Sequence, residues 1–175
     1  MLEPTPRDTA DGPPQQFFNG LLGARFKTYL SGREREEMHA DFLDAHERHW
    51  EDAERLFQAQ RWANADHLYG LAAECGLKRL MRAFDMPFDK ARGRPIKKSD
   101  QVHADGIWMR FESYRCGHPQ GTGYVLHGSN PFSNWNASQR YAHQSDFDQA
   151  RAQEHRSGAD VVRQLVKKAR KEGLI

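Results

Sequence analysis

The sequence predicts an all-α protein, an up-and-down bundle of four main helices with a short N-terminal extension and an irregular connection over 117–139. Three observations predict it. The stretch 61–81 is apolar nearly all the way round a helical cylinder, as expected of a helix at the centre of a bundle. Three further segments carry apolar residues on one side only, at helical spacing. Glycine and proline concentrate between these segments, where a chain must turn.

Residues 1–16 are rich in Pro, Asp, Gly and Thr and hold too little apolar surface to order themselves, so a loose tail precedes one domain over 17–175. Phe17, Phe18, Leu21, Leu22, Phe26, Tyr29 and Leu30 form a compact apolar segment broken by Gly20 and Gly23, read as a short helix or a cap on the bundle. The first long helix is expected over 33–58, with Met38, Phe42, Ala45, His49, Ala53, Leu56 and Phe57 on its inner stripe. The central helix follows. Its small residues Gly70, Ala72, Ala73 and Gly76 allow close approach of neighbours, and its charges Glu74 and Lys78, spaced i, i+4, are read as a buried structural pair.

Between 85 and 100, Pro87, Gly93 and Pro95 interrupt the helical pattern, and Lys90, Arg92, Arg94, Lys97 and Lys98 make an exposed basic loop. The next helix is expected over 101–115, with Ala104, Ile107, Trp108, Phe111 and Tyr114 as core residues and Gly117 as its end. Tyr124, Val125, Leu126, Phe132 and Trp135 lie in the following Gly- and Pro-containing connection, an irregular segment or small hairpin whose aromatics dock on the bundle. A last helix is expected over 146–171, with Phe147, Ala150, Val161, Val162, Leu165, Val166 and Ala169 inward and Gly173 as the stop.

Charge is balanced, 26 Lys and Arg against 24 Asp and Glu for a net +2, which neither requires nor excludes a nucleic-acid partner. Cys75 and Cys116 form no disulfide framework and no zinc spacing, which suits a reducing cytoplasm. No secretory or membrane-spanning apolar run is present, so a cytoplasmic protein without a membrane partner is expected. A P-loop, a Gly-rich strand-to-helix turn and a Gly-x-Ser-x-Gly elbow are all lacking, and no cofactor is expected. His39, His46 and His49 lie close in sequence without a compact ligand set around them, so no functional metal site is expected.

The central helix, reading Ala65-Asp66-His67-Leu68-Tyr69-Gly70 and then Glu74-Cys75-Gly76-Leu77-Lys78, resembles the second helix of HEPN (higher eukaryotes and prokaryotes nucleotide-binding) domains. The likeness extends to a His-led helix at His103 and to Asn130-Pro131-Phe132-Ser133-Asn134-Trp135 with Gln139-Arg140-Tyr141-Ala142 before the last helix, covering about 35–172. The resemblance implies a helical bundle, commonly a homodimer, in bacterial toxin–antitoxin, phage-defence or stress systems. Many members are metal-independent ribonucleases, with an Arg and a following His separated by four to six intervening residues near the last helix. Arg61 with His67 and Arg33 with His39 have that spacing; Arg140 with His143 and Arg151 with His155 are shorter.

Independently of the family, cutting RNA without a metal needs a base for the ribose 2′-hydroxyl, a donor and a permanent cation, which His and Arg supply at neutral pH. Arg151 and His155, i, i+4 on one helix face, with Arg140 and His143 entering that helix from its N-terminal side, are the preferred catalytic set, and Arg61 with His67 the alternative. Each also has a plain reading: solvated residues on an exposed face for the first set, and for His67 a hydrogen bond to a neighbouring helix beside a cap formed by Asn64 or Asp66. The loop cations Lys90, Arg92, Arg94, Lys97 and Lys98 are either solvated or follow a phosphate backbone. Two functions stay open on the sequence: a metal-independent endoribonuclease acting on RNA, and a non-catalytic, degenerate HEPN-like module that dimerises or binds a nucleotide or a protein partner of the same system.

Overall fold

The computed structural model describes residues 39–175. The expected tail at 1–16, the apolar segment at 17–30, Arg33 of the pair with His39, and the expected helix start at 33 lie outside the described residues. Those described form an all-α bundle of four α-helices with one minimal sheet. Helix α1 (Phe42–Gln58) begins where Asp41, in an extended conformation, accepts from the backbone N–H groups of Leu43 at 2.9 Å and Asp44 at 3.1 Å. Its buried residues are His46, Trp50 and Ala53. The inner stripe therefore centres on His46 and Trp50, and His49, expected inside, is only half-buried.

Helix α2 (Trp62–Ala83) is the axis of the domain, and α1, α3 (Ala104–Cys116) and α4 (Gln149–Lys171) all pack on it. Ala65, Tyr69, Ala72, Ala73, Leu77, Leu80 and Met81 are sealed from solvent, as the all-round apolar pattern requires. Its small residues set the closeness of approach. A Cβ on Gly70 would stand 2.2 Å from Trp135 Nε1, and one on Gly76 would stand 2.6 Å from Val162 Cγ1. Leu68 and Leu71 belong to the rim and are partly buried. Across the bundle, Arg156 of α4 grips Glu54 of α1 through Nε at 2.6 Å and Nη2 at 2.8 Å, and Tyr69 of α2 donates to the same carboxylate at 2.7 Å.

The turn from α1 to α2 closes as a Schellman motif: Arg61 N–H donates to Leu56 O at 2.9 Å and Gln60 N–H to Phe57 O at 3.0 Å. Gln60 sits at φ 58°, in the left-handed region where a side chain crowds its own backbone.

After α2, strand β1 (Phe88–Asp89) pairs antiparallel with β2 (Arg94–Pro95), so the basic loop is held by a two-residue ladder. Lys90, Arg92, Arg94, Lys97 and Lys98 are exposed as expected. Asp100 just after it is fully buried, bound by Arg110 Nε at 2.9 Å and by Tyr114 Oη at 2.7 Å. Helix α3 starts three residues later than expected and buries Ala104, Ile107, Trp108 and Phe111. The connection contains no hairpin. It is irregular chain between 3₁₀ turns at Pro119–Gly123 and Ala137–Tyr141, and from it Tyr124, Leu126, Phe132 and Trp135 are inserted into the core. Helix α4 starts at Gln149, capped by Asp148, which accepts from Arg151 N–H at 2.8 Å. Its inner face is Ala152, His155, Gly158, Ala159, Val162, Val166 and Ala169. Ala150 and Val161 point out, contrary to expectation. No described helix is long and apolar enough to cross a membrane.

Two outcomes follow for stability. Leu77→Ala should cost about 2 to 5 kcal/mol in urea unfolding through lost burial and a residual cavity; a loss below about 0.5 kcal/mol would remove α2 from the centre. Gln60→Gly should gain about 0.5 to 1 kcal/mol by relieving the left-handed residue at the Schellman turn, and a loss of stability would mean that the Gln60 side chain makes contacts worth more than that strain.

Candidate functional site

Near its start the apolar helix α2 carries a carboxylate, Asp66, with no exposure at all. A buried carboxylate needs donors, and it finds them on two other segments. His155 Nδ1 of α4 donates to Oδ1 at 2.6 Å, and Gln139 Nε2 donates to Oδ2 at 2.5 Å. Arg151 Nε stands 3.5 Å from Oδ1, an ion pair without hydrogen-bond geometry. Arg151 Nη2 donates to Asn134 O at 2.8 Å and to Gln139 Oε1 at 3.3 Å. His155 Nε2 meets Asn134 Oδ1 at 2.7 Å. The ring thus lies between two oxygens: an imidazolium donates to both, whereas a neutral ring needs the Asn134 amide reversed so that its NH2 faces Nε2.

This changes the roles read from sequence. Arg151 and His155 do come together through their i, i+4 spacing, but on the inner side of α4: His155 is fully buried and has no open edge for a substrate, and Arg151 is only one quarter exposed. Asp66 does not cap α2 either; it accepts from His155 Nδ1. The cap position is Arg61, whose side chain makes no capping bond.

What the network does is hold its sequence neighbours. Gln139 belongs to the 3₁₀ turn Ala137–Tyr141, closed by a capping box in which Asn136 accepts from Ser138 N–H at 2.8 Å and Gln139 Oε1 accepts from Asn136 N–H at 3.2 Å. Anchoring Gln139 to Asp66 brings the next residue of each segment, Arg140 and His67, into mutual range. The Arg140 charge is the largest influence on the His67 imidazole after desolvation, and both act to lower its pKa from the usual 6.5. Arg140 is exposed, with its guanidinium 4.7 Å from the Tyr141 ring centroid and Nη1 donating to Ala137 O at 3.1 Å. His67 stacks on Trp135, centroids 5.2 Å apart and planes 12° from parallel, instead of bonding to another helix. Its Nδ1 is buried without a partner. A proton on Nδ1 would be an unsatisfied buried donor, which favours the neutral tautomer with the proton on Nε2.

Farther along the same face of α2 lies a second carboxylate. Glu74 Oε1 accepts from Lys78 Nζ at 2.6 Å, the pair expected from the sequence, while Oε2 accepts from His103 Nδ1 at 3.1 Å. His103 was not picked out as a site residue. The signal for it was a charged residue on a buried helix, which one partner alone does not fully satisfy.

The remaining sequence-nominated residues lie elsewhere. Arg61 and His143 line one cleft of ≈ 340 Å³ with Trp62, Asn64, Gln144 and Ser145, and His143 Nδ1 is engaged as the cap of the turn Gln144–Asp146, accepting from Ser145 N–H at 3.3 Å. The basic loop follows the far end of α2. Ala83, sixteen positions after His67, lies about 24 Å farther along the helix at a rise of 1.5 Å per residue; from there Phe88 packs on Phe42 and beneath the Arg82 guanidinium, and the chain returns to Glu74 at His103. His46 is buried with Nδ1 donating to Ala72 O at 2.7 Å. Among the described residues no three His, Cys, Asp or Glu side chains are grouped so as to hold a metal ion. Compared with known proteins, the chain matches no family model, no curated protein and no solved structure.

His46, His49 and His67 all have pKa values lowered from 6.5, in each case chiefly by burial. In the window below 6.5 the unfolded chain binds more protons at these rings than the folded one, so their contribution to stability is complete above about pH 6.5 and is lost as pH falls toward the folded values. Urea unfolding should therefore give a lower stability at pH 5.5 than at pH 7.5. A flat or rising stability on acidification would mean that these imidazoles take protons in the fold as readily as in the unfolded chain.

Proposed function

We propose that this chain is a HEPN-like, metal-independent endoribonuclease, acting as a homodimer in a bacterial defence or toxin–antitoxin system, with His67 and Arg140 at its site. The observation that carries the reading is that buried Asp66 binds Gln139, which ties together the two segments whose next residues are the half-buried His67 and the exposed Arg140, and the Arg140 charge helps lower the His67 pKa. Arg140 suits the charge that gathers on phosphorus during attack by the 2′-hydroxyl, since a guanidinium keeps its proton and grips phosphate oxygens in a planar fork. The Nε2–H of His67 suits a donor to a phosphate oxygen. Cleavage by this route leaves a 2′,3′-cyclic phosphate and a 5′-hydroxyl. Lys90, Arg92, Arg94, Lys97 and Lys98 serve as a remote contact to the phosphate backbone. A specific observation also favours a second location: Arg61 and His143 share an open cleft.

The test is cleavage of labelled single-stranded RNA of mixed sequence in EDTA, with circular dichroism as the folding control. His67→Ala and Arg140→Ala should each lose activity by about a hundredfold or more, and Arg140→Lys should fall between wild type and alanine. Loss in Arg61→Ala and His143→Ala, with His67→Ala active, would move the site to the cleft. A folded protein that leaves RNA intact and binds it, or a protein partner, would make the domain a non-catalytic module.

A further inference from the structure

Resting on the ribonuclease reading, the site as described holds a donor and a cation but no acceptor for the 2′-hydroxyl proton. We propose that His103, oriented by Glu74, is the general base of the reaction, taking that proton at Nε2. The geometry is that of a carboxylate-backed imidazole. Glu74 Oε2 accepts from His103 Nδ1 at 3.1 Å, which fixes the proton of the neutral ring on Nδ1 and leaves the lone pair on Nε2. Glu74 is one tenth exposed while the His103 side chain is 56 % exposed, so the carboxylate is sheltered and the base is open to substrate. Lys78 holds the other carboxylate oxygen at 2.6 Å and so fixes the orientation of Glu74.

The two imidazoles meet at one ring. Trp135 is 5.2 Å from His67 and 6.4 Å from His103, centroid to centroid. We place a phosphodiester between the two imidazoles that flank the buried Trp135 ring, to be met by Nε2–H of His67 and the Nε2 lone pair of His103. The step balances without a metal: the 2′-oxygen gives its proton to His103 Nε2 and bonds to phosphorus, the bond from phosphorus to the 5′-oxygen breaks, and the departing 5′-oxygen takes a proton from water. His103 then returns its proton to solvent. The charged and titratable groups around this face are Glu74, Lys78 and His67 of α2, Arg140 of the 3₁₀ turn, and His49 of α1, which senses both Glu74 and Arg48. His103 leads α3 without making a side-chain capping bond, so its replacement removes no cap.

The experiment compares wild type, His103→Ala and His67→Ala on two probes, labelled single-stranded RNA and a uridine 3′-aryl phosphate whose leaving group needs no proton. His103→Ala should fall by about a hundredfold or more on both, because both need the 2′-hydroxyl deprotonated. Added imidazole should restore its activity in proportion to the free-base fraction, and without imidazole the acid limb of the variant's pH–rate profile should disappear. Full activity of His103→Ala on both probes, with His67→Ala inactive, overturns the base assignment and leaves the ribonuclease reading standing. Loss on RNA alone would make His103 an acid rather than a base, and loss without imidazole rescue and with the acid limb unchanged would make it structural; either overturns the proposal. An unaltered protein that cleaves neither probe overturns both readings together.

Discussion

The carboxylate of Asp66 is the constraint on which the site depends. It is sealed inside a helix that is otherwise apolar, and leaving it without donors would cost more than a domain of this size can spare. Its donors come from α4 and from the turn at 137–141, so satisfying one side chain ties three segments that are distant in sequence. The tie reaches the surface through chain connectivity. His67 follows Asp66 and Arg140 follows Gln139, which turns an internal hydrogen-bond requirement into a placement of a half-buried imidazole and an exposed guanidinium. Gly70 completes the arrangement, since any larger residue there would push Trp135 away from the ring it supports.

Glu74 repeats the device two turns farther along with a different outcome. Asp66 is answered wholly from within: His155 has no exposure and both of its nitrogens are engaged. Glu74 is answered by one interior group, Lys78, and one exterior group, His103. A buried ion pair gives little net stability over apolar residues of the same volume, because desolvation offsets the attraction. The Glu74 cluster is therefore weak as a stability device and strong as an orienting one. It presents a ring with a fixed tautomer to solvent, whereas the Asp66 cluster presents nothing and only positions.

The fold was legible because burial follows periodicity. The centrality of α2, the Glu74–Lys78 pair, the inward Ile107, Trp108 and Phe111, and the docking of Phe132 and Trp135 all follow from spacing and from the cost of unpaired charge. Helix starts were less legible: the helix expected from 33 begins at Phe42, residues 39–41 being non-helical, and the one expected from 146 begins at Gln149, since Asp41 and Asp148 claim the first-turn donors and set the ends locally. The inner stripe of α1 was misread by one step because His46 and Trp50 count as polar and bulky in a pattern, yet His46 satisfies Nδ1 on Ala72 O and can go inside. The site was half legible. Arg151 and His155 were paired correctly by their spacing, but spacing gives a shared face without saying whether that face looks outward; the partners that turn it inward, Asp66 and Asn134, lie 89 and 21 positions from His155. The contact between Glu74 and His103 is 29 positions long, beyond any local pattern.

The basic loop bears on how a polyanion would use this surface. Its two ends are held at different places on α2: Phe88 packs beneath the Arg82 guanidinium at the far end of the helix, whereas His103, five residues after Lys98, reaches Glu74 and lies 6.4 Å from the Trp135 ring. Exposed cations that meet phosphate from solvent govern affinity and its dependence on salt. On the proposed ribonuclease reading, neutralising Lys90, Arg92 or Arg94 should therefore weaken substrate capture most at low ionic strength and leave the turnover of captured RNA alone, whereas changes at Arg140 should act on turnover at any salt concentration.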